Sequence, residues 1–312
     1  MPKKTAFLFP GQGAQAVGMG KEWAAAFAAA RAMFQRADEI LGRPLSAVCF
    51  NGPEEDLRRT ENAQPGLYVC GLAGAALLRE AGVKIEAAAG HSLGEYAALA
   101  AAAVFDWEKG LRLVRARGEA MSAAAEARKG TMAAILGLED ERVVEACRKA
   151  QSAGIVTAAN FNGPGQVVIS GEPAAVEAAI AACKAAGARR ALPLPVHGAF
   201  HSPLMESAVA PMRAALAGVR FSDPRAQFVA NVTGGFMADA ASIRDGLARQ
   251  ITSCVRWTET MRRLLDAGIE LFVEVGPGKV LSGILKRMDR DAVSLNCATP
   301  ADIQKVVEAY KT

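Results

Sequence analysis

The sequence lacks several features that mark common classes of protein. Among its 312 residues, no apolar run is long enough to span a bilayer, which argues against an integral membrane protein. The net charge of +4 is mild, and no dense basic run carries interleaved aromatic residues. A nucleic-acid-binding protein is therefore not expected, whereas an acidic protein partner is compatible with the charge.

Paired cysteines and targeting signals are also missing. The six cysteines stand singly, without a Cys-x-x-Cys pair or a Cys/His cluster, so neither a metal site nor a disulfide framework is expected. They are typical of small core residues in a reducing compartment. The N-terminal residues lead directly into a strand-like segment, without the long apolar run and cleavage site of a secretory signal. We therefore expect a cytoplasmic protein with no membrane attachment.

The order of elements predicts an α/β protein with an inserted unit. Hydrophobic residues make up 51% of the chain and charged residues 22%, which allows a sizeable core. Strands alternate with helices in residues 1–128 and again in 198–312, which predicts one large domain with a mostly parallel sheet. Residues 129–197 follow the order β-α-β-β-α-β, which predicts a ferredoxin-like small domain.

Local signals predict where several helices begin and end. Asp106 is expected to cap a helix from Trp107 to about Glu126, and Ser202-Pro203 to open another. A further helix is predicted from near Gly20 through Ala30. Residues 43–62 contain two prolines and a glycine between short apolar groups, and they are predicted to be irregular.

The stretch around Ser92 has the spacing of a nucleophile elbow. A short buried strand, Ala87 to Gly90, is followed by Gly90-x-Ser92-x-Gly94 and an alanine-rich helix. Glycines two positions on either side allow the backbone to close around a strained serine. The N–H of Leu93, at the start of the helix, could stabilise an oxyanion. An ordinary glycine-bounded turn is the alternative interpretation.

Only three histidines could serve as a base for Ser92. His91 is adjacent to the serine, and neighbouring side chains at a turn point apart, so it is a poor candidate and more plausibly shapes the turn. His197 and His201 follow the predicted insert. His201 directly precedes a helix cap, where its side chain can project into a cleft between domains, and it is the preferred base.

An orienting acid for this histidine is not evident from the sequence. The acids between Ser92 and His201, such as Asp106 and Glu119, fall in predicted helices or helix caps and not at strand ends. The acid could come later in the chain. Alternatively, a neutral acceptor such as a backbone carbonyl could hold the imidazole Nδ1–H.

A glycine-rich turn follows the first strand. Gly11-Gln12-Gly13, with Ala16, is similar to a variant dinucleotide-binding fingerprint, but the acid that such a motif needs about twenty residues later is missing. The turn could instead supply a second backbone N–H near Ser92, since both segments end neighbouring strands.

Two arginines share one predicted helix. Arg115 and Arg117 are two residues apart, so they point to different faces, and one can be solvated while the other faces inward. A buried arginine beside a nucleophilic serine could bind a carboxylate by a bidentate contact.

Together these motifs resemble the malonyl-CoA:acyl carrier protein transacylases. The resemblance runs in order across almost the whole chain, through the segments Phe9-Pro10-Gly11-Gln12-Gly13, Gly90-His91-Ser92-Leu93-Gly94, Val114 to Gly118, Asn160-Phe161-Asn162, Gly198-Ala199-Phe200-His201-Ser202 and Val275-Gly276-Pro277-Gly278. It implies an α/β-hydrolase-like large domain with a ferredoxin-like insert. It also implies transfer of malonyl from malonyl-CoA, through a serine ester, to the thiol of holo acyl carrier protein, with release of coenzyme A.

The resemblance implies a role for each matching residue. Ser92 would carry the acyl group, His201 would be the base, and Arg117 would bind the malonyl carboxylate. The backbone N–H groups of Gln12 and Leu93 would form the oxyanion hole. The position that supplies a backbone carbonyl to the histidine looks like Gln250, which would explain the missing acid. Three further residues would line the substrate pocket: His91, Asn160 and Phe200. Phe200, before the histidine, is similar to the residue found there in the malonyl-selecting members of the family.

Other functions stay open at this point. A serine thioesterase or other hydrolase on acyl-CoA would keep the serine and histidine but transfer to water, although a lipase pocket needs no cation. A coenzyme A-binding module with an inactive site is a second alternative. The reaction would serve either fatty acid or polyketide synthesis. No metal or redox cofactor is required, and a monomer is expected.

Overall fold

The computed structural model describes residues 1–196 and 198–312, and two separate β-sheets organise them. His197, one of the candidate bases, lies outside the described residues. Within these ranges the strands are β1 (Thr5–Phe9), β2 (Ala87–Gly90), β3 (Thr131–Leu136), β4 (Val156–Gly163), β5 (Gln166–Gly171), β6 (Arg190–Pro193), β7 (Gln227–Phe228), β8 (Leu271–Val275) and β9 (Val293–Cys297).

Helices surround both sheets and join most of the strands. They are α1 (Lys21–Ala26), α2 (Ala28–Leu41), α3 (Leu45–Asn51), α4 (Glu54–Arg58), α5 (Thr60–Glu80), α6 (Gly94–Ala101), α7 (Trp107–Ala127), α8 (Asp140–Ala150), α9 (Pro173–Ala185), α10 (Val209–Ala217), α11 (Ala240–Gln250), α12 (Trp257–Asp266), α13 (Val280–Met288) and α14 (Pro300–Lys311). In the part of the chain that the structure describes, no helix has both the length and the apolar character needed to cross a membrane.

The larger sheet is parallel throughout and has the strand order β7-β2-β1-β8-β9. Every residue of β1, β2 and β8 is buried, as expected for strands covered by helices on both faces. The register pairs Phe9 with Gly90, so the carboxyl ends of β1 and β2 lie side by side. The mostly parallel sheet predicted from the sequence is confirmed.

The smaller sheet is antiparallel and has the order β4-β5-β3-β6. Its elements follow the chain as β3, α8, β4, β5, α9 and β6, which confirms the β-α-β-β-α-β order. Helices α8 and α9 cover one face, and the apolar residues between them and the sheet form a core of their own. The last strand of this sheet, β6, ends at Pro193.

Residues 43–62 are helical, and the prediction of an irregular segment was wrong. They contain α3, α4 and the first turn of α5, and the two prolines stand directly before α3 and α4, where a proline is tolerated. Inside α5, Pro65 has no N–H to donate to the carbonyl oxygen of Glu61. The Arg43 guanidinium donates to that oxygen instead. A contact from outside the helix thus replaces the hydrogen bond that proline removes.

The single helix predicted from Gly20 through Ala30 is divided at Phe27. This residue adopts an extended conformation, with φ −123° and ψ 123°, between α1 and α2. The guanidinium of Arg31 donates to the carbonyl oxygens of Ala24 (2.9 Å) and Ala25 (3.1 Å), which lie at the end of α1. The carbonyl oxygens at the end of α1 therefore have the Arg31 guanidinium as a hydrogen-bond donor.

Two predicted helix caps are present. The Asp106 carboxylate accepts from the N–H groups of Glu108 (2.9 Å) and Lys109 (3.3 Å) at the start of α7. The Ser202 hydroxyl accepts from the N–H of Leu204 at 3.3 Å. The helix after Ser202 differs from the prediction in one respect, because its first six residues, Pro203–Ala208, form a 3-10 helix before α10 begins.

Ala103 offers a direct test of backbone strain in this fold. It follows the end of α6 in the left-handed region, with φ 60°, which favours glycine. We expect Ala103→Gly to stabilise the protein by about 1 kcal/mol, raising the melting temperature by roughly 2 °C. The contrasting variant is Ala102→Gly, which is expected to destabilise the protein: Ala102 has φ −81°, so glycine relieves no strain there, increases the entropy of the unfolded chain and removes a buried methyl group. Calorimetry that finds both variants destabilised would contradict this account.

Candidate active site

Ser92 lies on a strained turn between β2 and α6. Its φ is 51°, a value that residues with a side chain rarely adopt. A Cβ at Gly90 would lie 1.9 Å from the carbonyl of Gly94, and a Cβ at Gly94 would lie 2.0 Å from the carbonyl oxygen of Phe9. Only glycine fits at either position. The Gly-x-Ser-x-Gly spacing therefore follows from backbone packed on backbone around the serine.

His201 contacts Ser92 directly. Its Nε2 is 2.7 Å from the Ser92 Oγ, and the imidazole is 4% exposed. His201 also has a positive φ, of 58°. The Nδ1 atom is 2.9 Å from the carbonyl oxygen of Gln250 and 3.2 Å from that of Ser253. Two carbonyl acceptors assign the proton to Nδ1, which leaves Nε2 free to accept from the serine hydroxyl.

The environment keeps His201 neutral. Burial, and after it the positive charge of Arg117, lower the pKa of this imidazole to about 3, although the hydrogen bond to Gln250 opposes the shift. At neutral pH the side chain is therefore an uncharged imidazole. Only that form can take a proton from Ser92.

Arg117 projects inward from α7, while Arg115 on the same helix is exposed and pairs with Glu119 at 2.7 Å. The Arg117 side chain is fully buried, with 1% exposure. Its Nη2 donates to the Ser92 Oγ at 3.0 Å, and its guanidinium lies 5.7 Å from the centre of the Tyr96 ring. Among the described residues it forms no ion pair, and its Nε has no hydrogen-bond partner. A buried cation of this kind is suited to an anionic ligand.

Four polar residues hold the serine and the arginine in place. The sequence argument assigned no role to three of them, and to the fourth, Gln250, only a role for its backbone carbonyl. The Gln64 side chain accepts from Arg117 Nη1 at 2.8 Å, and the Gln250 side chain accepts from Nη2 at 2.9 Å. Glu95 and Asn231 lie behind the elbow, where Asn231 Oδ1 accepts from the Ser92 N–H at 2.7 Å.

The buried Glu95 is the least expected of these residues. It is in the first turn of α6, where an acid is typical of an exposed helix N-terminus, so nothing in the sequence indicated burial. Its carboxylate accepts from the Asn231 N–H at 2.9 Å and from the Gln250 amide. Burial raises the pKa of this carboxyl to about 7, against the effect of those hydrogen bonds and of Arg117.

Two backbone N–H groups are available beside the serine. Gln12 follows the end of β1, and Leu93 stands at the start of α6. Neither N–H donates to another group in residues 1–196 or 198–312. Because β1 and β2 are adjacent, both N–H groups lie beside the serine. An oxyanion hole requires two donors placed in this way. The glycine-rich turn packs on the elbow as well, since a Cβ at Gly11 would lie 2.6 Å from the His91 carbonyl oxygen.

A cleft of about 310 Å³ opens onto these groups, between the large sheet's carboxyl edge and the small sheet. His91, Asn160 and Phe200 all line it. The His91 Nε2 is 2.8 Å from Asn162 Oδ1, so a residue of the elbow contacts β4 of the insert. The structure thus brings all nine residues singled out from the sequence to one place.

Comparison with known proteins places the chain among acyltransferases. Residues 6–307 match the acyl transferase domain family. The malonyl CoA-acyl carrier protein transacylase of Bacillus subtilis is 41% identical over 309 residues, which cover 99% of this chain and 98% of that protein. The solved malonyl CoA-acyl carrier protein transacylase of Coxiella burnetii superposes with a TM-score of 0.97 at 35% identity, over 100% and 99% of the two chains.

A solved complex also contains a chain that is similar to this protein. It contains a malonyl-transacylase bound to a type II polyketide acyl carrier protein, and it superposes with a TM-score of 0.95 at 40% identity, covering 98% of this chain and 99% of that one.

The lowered pKa of His201 can be measured. We expect its ring nitrogens to show the neutral, Nδ1-protonated form in ¹H–¹⁵N spectra throughout pH 5 to 8, with assignment by His201→Gln. In urea the same histidine is expected to titrate near pH 6.5. The unfolded chain therefore binds a proton that the folded chain does not, and His201 makes stability decline as the pH falls from about 6.5 toward 3. A folded-state midpoint at 6.5 or above would overturn this assignment.

Proposed function

This chain belongs to the malonyl CoA-acyl carrier protein transacylase family, and we propose that it transfers malonyl from malonyl-CoA to the phosphopantetheine thiol of holo acyl carrier protein. The transfer supplies fatty acid or polyketide synthesis. One observation carries the proposal beyond family membership: the buried Arg117 guanidinium, without an ion-pair partner among the described residues, lies 3.0 Å from the hydroxyl of Ser92. A malonyl group has a carboxylate at one end and a reactive thioester at the other.

In the first half-reaction, the Ser92 Oγ attacks the thioester carbonyl carbon while its proton moves to His201 Nε2. The oxyanion that forms would accept from the N–H groups of Gln12 and Leu93. The C–S bond then breaks, and coenzyme A leaves with the proton from His201. The product is a malonyl ester of Ser92.

In the second half-reaction, the carrier's phosphopantetheine thiol gives its proton to His201 and attacks the ester carbonyl. The C–O bond to Ser92 breaks, and the serine oxygen recovers the proton. Both halves use the same base and the same oxyanion hole. The order is ping-pong because coenzyme A leaves before the carrier thiol attacks the malonyl ester. The carbonyl oxygens of Gln250 and Ser253 would keep the imidazole in one orientation through both steps.

Arg117 links substrate choice to the strength of the base. Its charge lowers the pKa of His201 in the empty site. A bound malonyl carboxylate would offset that charge, so the pKa of His201 would rise when the correct substrate is present. A neutral acyl group such as acetyl would leave His201 a weaker base and Arg117 without its counterion.

We also propose three finer points. Residues 1–128 and 198–312 form the catalytic domain, and residues 129–197 form the small domain that closes one side of the cleft. The enzyme works as a monomer, which is supported by one chain supplying Ser92, His201 and Arg117. It works in the cytoplasm, which is supported by cysteines that are free and mostly buried.

Intact-mass measurement tests the reaction and its order. Adding malonyl-CoA to the wild-type enzyme is expected to increase the mass by one malonyl group, and adding holo acyl carrier protein to return the enzyme to its original mass. Ser92→Ala is expected to fold normally, gain no mass and lose transfer by several orders of magnitude. Loss of the adduct to water, at a rate that the carrier does not change, would support the thioesterase alternative. Transfer by Ser92→Ala at near wild-type rate would remove Ser92 from the mechanism.

Arg117→Ala tests recognition of the carboxylate. Removing one partner of a buried charge pair costs about 2–5 kcal/mol, so malonyl transfer should fall roughly thirty- to several-thousand-fold. Acetyl transfer should fall little or even increase. Arg115→Ala is the matched control on the same helix, because Arg115 is exposed and pairs only with Glu119. If Arg117→Ala reduced both reactions equally, another group would have to bind the carboxylate.

A further inference from the structure

The side chain of Gln250 lies between three groups of the site. Gln250 is the last residue of α11 and is completely buried. Its Oε1 accepts from Arg117 Nη2 at 2.9 Å. Its Nε2 donates to the carbonyl oxygen of Ser92 at 2.9 Å and to a carboxylate oxygen of Glu95. The amide thus connects the elbow, the buried acid and the buried arginine.

The donors and acceptors around this amide permit only one orientation. Both N–H bonds of Nε2 are used by acceptors, the Ser92 carbonyl and the Glu95 carboxylate. The oxygen faces a guanidinium, which can only donate. Rotating the amide by 180° would set NH₂ against Arg117 and oxygen against two acceptors. Glu95 and the Ser92 carbonyl together therefore present the amide oxygen of Gln250, and not its NH₂ group, to Arg117.

Glu95 is itself held in place by the backbone of a different segment. Its other carboxylate oxygen accepts from the N–H of Asn231 at 2.9 Å, and the Asn231 side chain bridges the Ser92 N–H and the Gly90 carbonyl. These contacts are buried, where hydrogen bonds to charged groups are strong and geometrically specific. The chain from Glu95 through Gln250 to Arg117 is thus anchored at the elbow.

The same residue also reaches the base. The Gln250 backbone carbonyl accepts from His201 Nδ1 at 2.9 Å, while its side chain meets Arg117. One residue therefore contacts both the group that would activate the serine and the group that would bind the carboxylate. The sequence argument assigned only the backbone carbonyl to this position.

We infer that Gln250 and Glu95 are positioning residues for substrate choice: Glu95 orients the Gln250 amide, and that amide holds Arg117 where a malonyl carboxylate can meet it. The inference rests on the proposed function, since it concerns selection between malonyl and uncharged acyl groups. Gln64 holds the other terminal nitrogen of Arg117, at 2.8 Å, so loss of the Gln250 amide leaves Nη2 with the Ser92 hydroxyl as its one remaining acceptor among the described residues. Malonyl binding weakens as a result, while Ser92 keeps its contact with the Asn231 side chain and His201 keeps the Gln250 backbone carbonyl.

The test compares malonyl-CoA and acetyl-CoA as donors for Gln250→Met, which keeps the volume and the backbone carbonyl but removes the amide. Malonyl kcat/KM is expected to fall roughly ten- to hundredfold, mostly through KM, because a hydrogen bond to a charged group is lost. Acetyl kcat/KM is expected to fall by much less. The matched control is Gln304→Met, since Gln304 also pairs with a glutamate, Glu308, but on the exposed face of α14.

Glu95 variants test whether the acid acts through Gln250. Glu95→Met is expected to lower the malonyl-to-acetyl ratio, and Glu95→Gln, which retains an acceptor oxygen, to restore part of it. In the double variant with Gln250→Met, the Glu95→Met change is expected to lower the malonyl-to-acetyl ratio no further. Both changes break the same connection, from Glu95 through Gln250 to Arg117. These Glu95 variants decide the matter if Gln250→Met fails to fold.

The outcomes separate this inference from the proposed function. Absence of malonyl transfer by the wild-type enzyme would refute the proposed function. Wild-type transfer combined with equal losses of malonyl and acetyl activity in Gln250→Met would refute the inference alone, as would strictly additive effects in the double variant. A selective loss of malonyl activity with non-additive coupling supports it.

Discussion

A positive charge held out of water beside the serine is the constraint on which the rest of this site depends. Isolating a guanidinium from solvent is unfavourable by several kcal/mol unless other groups replace its hydration. Here the amides of Gln64 and Gln250, the Ser92 hydroxyl and the face of Tyr96 surround Arg117. They stabilise the cation without neutralising it. The charge therefore remains available to an anionic group, and it adds to the larger effect of burial in lowering the pKa of His201.

Two of the three non-glycine residues with a left-handed φ in the described part of the chain are the residues that would exchange a proton. Ser92 and His201 both have φ values in the left-handed region, at 51° and 58°. Such conformations persist only where the surroundings determine them. At Ser92 the contact of Gly94 with the end of β1 does so, together with the Asn231 amide. At His201 the two carbonyl acceptors fix the ring. The strain thus sets the 2.7 Å contact before any substrate arrives.

The small antiparallel sheet gives the cleft its second wall. Its strand β4 supplies Asn160 and Asn162, and the latter contacts His91 on the elbow. The N–H of Phe161 also donates to the carbonyl oxygen of Val255, which joins the same strand to the large domain. A second wall reduces the contact of the cleft with water, and lower exposure to water strengthens electrostatic contacts. An acyl ester protected from water favours transfer to a thiol over hydrolysis.

Local signals in the sequence were enough to predict the parallel sheet, the β-α-β-β-α-β order and the elbow. Alternation of strands and helices, and the glycines around Ser92, act within a few residues of each other. Helix content in residues 43–62 could not be found in the same way, since the carbonyl freed by Pro65 is satisfied by Arg43, more than twenty residues earlier. Local breaker signals were overruled there by a distant side chain.

The polar network behind the serine could not be predicted from the sequence, because its members meet only in the folded protein. Glu95 is buried because Asn231 and Gln250, more than a hundred residues later, supply its donors. Likewise, the spacing of Arg115 and Arg117 indicated that they would face different ways, but only the family resemblance pointed to Arg117 as the one beside the serine. That choice follows from the packing of α7 against α5, which carries Gln64. Hydrogen-bond partners of buried charges come from whichever segments the fold brings together, and no local pattern records them.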